Sequence, residues 1–197
     1  MFLSLPASVA LFVGSQDIIS VLFGYLSFGV VAVLNSANAL YYFGLGLPAF
    51  ALIKVFSTFF FANNDTKTPF YISLISVILN ICISLYYFKD IGFIIIPIAT
   101  TISSWFNSIT LFIFLKSKKF FSFTYIFWKT SSKLVFASIV MGLFFHYLLT
   151  FFAHQLSHDY HLQSLYLIFS VFLGLVFYLL LCFFIKAFNY KDLKLKY

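Results

Sequence analysis

The chain has 197 residues, of which 63% are hydrophobic and only 9% charged. Soluble domains are about half apolar and about a quarter charged, so an ordinary soluble enzyme, a disordered tail and a disulfide scaffold are all excluded. A mean hydropathy of +1.06 leaves a polytopic membrane protein.

The first apolar run covers 2–14. At about 1.5 Å per residue it reaches only about 20 Å, short of the roughly 30 Å of hydrocarbon in a bilayer. A truncated crossing is therefore expected, the second half of a helix; a short helix in a thinned bilayer is the alternative. Met1 leads straight into apolar sequence with no basic region, so no cleavable signal peptide is expected. Residues 15–35 carry Asp17 and Gly24, with Ile18, Ile19, Leu22 and Phe23 near helical spacing. This pattern predicts an interfacial amphipathic helix and a return loop. Five longer runs follow, at 38–62, 70–88, 93–115, 132–152 and 164–186. The predicted fold class is all-α, a bundle of about six membrane-crossing helices in one membrane domain spanning 1–197. Cys82 and Cys182 lie in apolar runs and are expected to be small buried residues without a disulfide.

The net charge of +7 comes from 12 Lys, with no Arg, against five Asp, with no Glu. Nucleic acid would be the natural partner of such an excess in a soluble protein. In a membrane chain the excess marks the cytoplasmic loops and an anionic leaflet. Lys67, the cluster Lys116, Lys118 and Lys119, then Lys129 and Lys133, and finally Lys186, Lys191, Lys194 and Lys196 fall on alternate loops. The intervening loops hold Asp17, the Lys89–Asp90 pair, and His154, His158, Asp159 and His161. The Lys-bearing side is predicted to be cytoplasmic, with the C-terminus inside.

Lys54 is the most informative single residue. It stands eight residues before the end of its run, about 12 Å inside the helix. A cation at that depth is costly unless it snorkels or meets a wet cavity, and in a cavity it suits an anionic group such as a phosphate. Pro48 removes a backbone donor six residues earlier and is a candidate helix kink; Gly44 and Gly46 add close packing. The turn 63–69 reads as a surface connection, with Thr68 as N-cap, Pro69 in the first helical turn and Asp65 paired with Lys67. Asn80 and Asn107 fall mid-helix, where inter-helix hydrogen bonding and substrate contact are the two readings. The outer-loop His residues have loose metal spacing but no Cys or Glu to complete a site, so no metal and no cofactor are expected. Trp105 and Trp128 fit interfacial belts or lipid-facing surface. Carboxylates are scarce and occur only as Asp in loops or near run ends, which argues against an enzyme.

The stretch KVFSTFFFANNDTKTP (54–69) resembles the K-V-x(5)-Y/F-A/S-x-x-D-x-K-T-P signature of MurJ-type lipid II flippases, the MviN family, without gaps. LPASVAL (5–11) is similar to the family's L-P-x-x-x-x-L segment. Leu79-Asn80 resembles its L-N pair, and Ala99-Thr100 with Asn107 resembles its A-T…N helix. The likeness covers about 2–120 in order; 120–197 match by hydropathy alone. LFGYLSF (22–28) departs from the family by placing Leu26 where it usually has Gly. Members are similar over roughly fourteen helices in two lobes, and this chain would supply the ninth to fourteenth.

The resemblance implies core-lobe helices over 1–119 and two additional helices over 120–197. It also implies a flippase of the MOP exporter class, moving an undecaprenyl-pyrophosphate-linked peptidoglycan precursor across the bacterial inner membrane by alternating access. The partners would be that anionic lipid, the bilayer and an N-terminal lobe. Lys54 would lie near the pyrophosphate, and the last two helices would face the polyprenyl chain. A related exporter of lipid-linked polysaccharide, and a membrane assembly protein without transport activity, are the alternatives.

Overall fold

The computed structural model of the chain describes residues 1–24, 29–120, 125–156 and 162–185. Within them lie six α-helices and one short 3-10 turn: α1 (Ser4–Phe23), α2 (Val30–Ala62), α3 (Lys67–Ile91), the 3-10 turn Gly92–Ile94, α4 (Ile95–Ser117), α5 (Tyr125–Phe151) and α6 (Gln163–Phe184). Five helical stretches are long and apolar enough to cross a membrane. One of them, Lys67–Ser117, contains two crossings, because Gly92 adopts φ +69° and turns α3 back onto α4. The chain is an all-α, multi-pass membrane protein.

The directions of the helices follow from their contacts. Asn80 meets Thr100 and Ser103, while Asn107 meets Ser73, so α3 and α4 run antiparallel. Thr101 meets Tyr42 and Trp105 meets Leu45, so α2 and α4 run parallel. Phe12 stacks near Tyr41 while Ile19 shares a cluster with Val33 and Ala37, which makes α1 and α2 antiparallel. Phe152 packs on Tyr166 and Phe144 on Phe177, so α5 and α6 are antiparallel as well. The bundle therefore alternates direction at every helix. Its end at Lys67, Lys116, Lys118, Lys119 and Lys129 is basic, and its other end carries Lys89, Asp90 and His154.

Three apolar clusters hold the described residues together, a small one of Ile19, Val33 and Ala37 between α1 and α2 and two larger ones. Phe56, Phe60, Ile72, Leu111 and Leu115 bury the basic ends of α2, α3 and α4. Leu134, Ala137, Met141, Phe145, Leu167 and Tyr178 join α5 to α6, with Val9 and Val13 of α1 packed against them. Helix α1 bridges the cores, touching α2 on one side and α5 and α6 on the other.

The first part of the chain departs from expectation. The short run at 2–14 is instead a 20-residue helix that passes Gly14 and Asp17 and ends at Phe23, about 30 Å long. Gly14 does not stop it because Gly14 is a packing site: a Cβ there would lie 2.8 Å from the Phe145 ring. The interfacial helix expected over 15–35 is absent among the described residues; residues 15–23 extend α1, and α2 begins at Val30. Residues 25–28, including Leu26, lie outside the described residues. Cys182 is buried as expected, but Cys82 is exposed on the outer face of α3.

Candidate functional site

The basic ends of α2 and α4 close in the same way. Asn64 follows α2 with φ +57°, and Lys119 follows α4 with φ +56°. The Asp65 N–H donates to the Phe60 carbonyl at 2.9 Å and the Asn64 N–H to the Phe61 carbonyl at 3.0 Å. On α4, the Phe120 N–H donates to the Leu115 carbonyl and the Lys119 N–H to the Lys116 carbonyl, both at 3.2 Å. Each pair is the double bond of a Schellman cap, which satisfies terminal carbonyls through one left-handed residue. The Asn63 side-chain amide adds a bond to the Phe59 carbonyl at 2.8 Å.

The residue after each cap reaches to the other helix. Asp65 accepts hydrogen bonds from the Lys118 ammonium and, at 2.8 Å, from the Thr68 hydroxyl. Phe120 sets its ring 5.8 Å from that of Phe60, edge to face. Lys118 also donates to the Thr68 hydroxyl oxygen at 2.9 Å and lies over the Phe120 ring. These bonds, first from Lys118 and then from Thr68, hold the Asp65 carboxyl down at about 2.

The motif turn thus works differently from the sequence reading. Helix α3 starts at Lys67, so Thr68 is inside its first turn and is not the N-cap. Asp65 does the capping, accepting the Thr68 N–H at 3.1 Å. Its ion-pair partner is Lys118, not Lys67, because the α3–α4 hairpin brings the α4 end beside the turn while Lys67 is carried away on an exposed helix face. Pro69 is buried in the first turn, where no donor is needed.

A polar seam runs between α3 and α4. The Asn80 amide donates to the Thr100 hydroxyl at 3.1 Å and the Ser103 hydroxyl at 3.2 Å. Asn107, buried on α4, donates to the Ser73 hydroxyl at 3.4 Å, and its amide oxygen has no hydrogen-bond partner. Such bonds tie helices together in a medium that offers no water.

Lys54 is the only charged residue of α2, and its side chain is exposed, between buried Ala49 and buried Phe56. It faces away from the α4 contact made by Phe56 and Phe60. Pro48 is buried within α2, which continues through it. Two residues brace this region, Thr101, which sequence reasoning missed, and Trp105, whose bond it did not foresee: Thr101 donates to the Tyr42 carbonyl at 2.7 Å, and the Trp105 indole donates to the Leu45 carbonyl at 3.1 Å. Trp105 is mid-helix with an exposed ring, so of its two expected settings it takes the outward-facing surface and not an interfacial belt. Gly46, where a Cβ would lie 3.1 Å from the Thr101 hydroxyl, was the available signal.

On the other flank, α1, α5 and α6 enclose a groove of about 500 Å³, lined by Pro6, Ala10, Met141, Gly174, Leu175 and Leu179 among others. The Tyr178 hydroxyl, at its edge, is engaged by the Phe2 carbonyl at 2.8 Å, which leaves the walls apolar. His154 is exposed at the opposite end, whereas His158, Asp159, His161 and the Lys residues from 186 onward lie outside the described residues.

Comparison with known proteins places these features. The family model described as lipid II flippase MurJ matches residues 1–170. A probable lipid II flippase MurJ from Rhizobium tropici is 35% identical over 142 residues, covering 72% of this chain and 27% of the relative. One from Buchnera aphidicola subsp. Schizaphis graminum is 28% identical over 98% of this chain and 38% of its own length. A solved structure, lipid II flippase MurJ in the inward closed conformation, superposes with a TM-score of 0.72 at 23% identity, covering 98% of this chain and 37% of that one. The chain thus spans between about a quarter and two fifths of these proteins. It belongs to the MurJ lipid II flippase family.

Proposed function

We propose that this chain is the C-terminal part of a flippase that carries lipid-linked peptidoglycan precursor across the bacterial inner membrane by alternating access. It works as a transporter and not as an enzyme, together with an N-terminal lobe. The observation that carries this reading is the family match over 1–170. Two surfaces give the reading a physical form, one cationic and one apolar.

Lys54 is the cationic one. Its exposure in a chain that covers only part of its relatives suits a wall of the space between two lobes, where an ammonium would attract a pyrophosphate. Asn80 and Asn107 then serve to hold α3 on α4, behind that wall. The groove between α1, α5 and α6 is the apolar surface. Its size and lining suit a length of polyprenyl chain. In this reading residues 1–119 form the core of the lobe and 120–197 add the two helices that complete the groove.

The basic end of the bundle faces the cytoplasm, by the bias of Lys toward that side. Helix α6 runs toward it, which supports a C-terminus on the cytoplasmic side.

The test is complementation. This chain, joined to the N-terminal part of a MurJ relative, should restore growth to a bacterial strain depleted of its lipid II flippase. Lys54→Arg should retain that rescue and Lys54→Ala should reduce it. A membrane-inserted fusion that never rescues would overturn the reading.

A further inference from the structure

Helix α2 is braced by α4 where its own backbone is weakest. Pro48 has no N–H, so the Gly44 carbonyl loses the donor that a helix would supply. A Cβ at Gly44 would lie 3.0 Å from Leu11 Cβ, and one at Gly46 would lie 3.1 Å from the Thr101 hydroxyl. Helix α2 is therefore gripped between α1 and α4 at this level. Thr101 and Trp105, one turn apart on α4, donate to the carbonyls of Tyr42 and Leu45, both on the N-terminal side of Pro48. An indole N–H can only donate and is costly to leave unpaired in an apolar medium, so the Trp105 bond favours one placement of α2. Beyond Pro48, Phe56 and Phe60 pack on Leu111, Phe112 and Leu115, and the two end caps fix the helix terminus. The half of α2 before Pro48 is thus tied to α4 by the two hydrogen bonds, and the half that carries Lys54 by its apolar end.

We propose that Thr101 and Trp105 are positioning residues: they hold the α2 backbone just before the Pro48 joint and so, together with the packing of Phe56 and Phe60 beyond it, set where the Lys54 ammonium lies. This rests on the reading of Lys54 as the group that meets the anionic substrate. With both bonds made, the two halves of α2 keep one relative direction. Without them, the segment from Gly44 to Pro48 becomes a joint, since it combines two glycines with a missing backbone bond.

The experiment needs no substrate, so its failure is separate from failure of the transport reading. Spin labels are placed at Leu34 and Phe61, exposed positions on either side of Pro48, in the full chain with Cys82→Ser and Cys182→Ala in lipid nanodiscs. The parent should give one narrow distance distribution. Thr101→Val combined with Trp105→Phe should broaden it, and Thr101→Val alone, which keeps the side-chain shape, should broaden it less. Thr101→Ser, which restores the hydroxyl, should return the parent distribution. With Pro48→Ala in the background, the same double substitution should have little effect. A double variant as narrow as the parent would overturn the proposal, as would equal broadening with and without Pro48.

Discussion

Asn64 and Lys119 hold the same left-handed backbone, at φ +57° and +56°, on the ends of two parallel helices. Neither is glycine, the residue that takes this conformation most easily. The strain is retained because the next residue of each chain segment is needed by the other helix. Asp65 is thereby presented to Lys118, and Phe120 to Phe60. The family's D-x-K-T-P turn is, in this chain, one half of a two-helix closure.

The first prediction concerns that strain. A left-handed conformation costs an L-residue roughly 1–2 kcal/mol. Lys119→Gly should raise the thermal stability of the protein in detergent, and Lys119→Val should lower it. The caps stay bonded in either case, so the order of melting temperatures (Gly, then Lys, then Val) is the readout.

Acid should open the same closure. Lys118 first, and Thr68 second, lower the Asp65 carboxyl to about 2 from its ordinary 3.8. A carboxyl that is depressed in the folded state stabilises that state above its ordinary value, and loses that effect as pH falls toward the depressed one. The wild-type melting temperature should therefore fall between about pH 4 and pH 2 more steeply than that of Asp65→Asn. Lys118→Met should raise the Asp65 titration toward the ordinary range. Parallel pH profiles for wild type and Asp65→Asn would show that the pair carries no stability.

Close approach of α1 to α5 gives a third prediction. A Cβ at Gly142 would lie 2.3 Å from Val9 Cγ1. Gly142→Ala should destabilise by about 1–3 kcal/mol through overpacking. Val9→Ala should restore much of that loss, because it removes the atom in the way. Additive losses in the double variant would mean that the two helices adjust elsewhere.

The order of the crossings was legible in hydropathy, since runs near 20 residues between Lys-bearing loops admit few other arrangements. The reach of α1 was not. The first run was read as ending at Gly14, with Asp17 and Gly24 as interruptions after it; Gly24 does cap α1, and the fit of Gly14 against Phe145 shows why the helix continues past that point. Asp65 seemed to belong with Lys67 because the two are neighbours in sequence. Its partner stands 53 residues away, brought there by the α3–α4 hairpin. Asn80 and Asn107 were legible as inter-helix donors, though not their partners. Trp105 was expected in an interfacial belt or on lipid-facing surface, and its exposed ring agrees with the second. The carbonyl that claims it is set by the packing of α2 on α4. The depth of Lys54 in its run offered two settings, a snorkelling side chain or a wet cavity, and the pattern of α2 did not choose between them because that helix is apolar around most of its circumference.

The direction of Lys54 is also where the account is most directly tested. In the two-lobe protein, with Cys82→Ser and Cys182→Ala, Lys54→Cys would be treated with a membrane-impermeant maleimide in inverted vesicles and in intact cells. The account predicts modification from an aqueous side, slowed when undecaprenyl pyrophosphate is added. A Cys at this position that stays unmodified from both sides would place it among acyl chains, and would contradict the claim that this face of α2 meets the substrate.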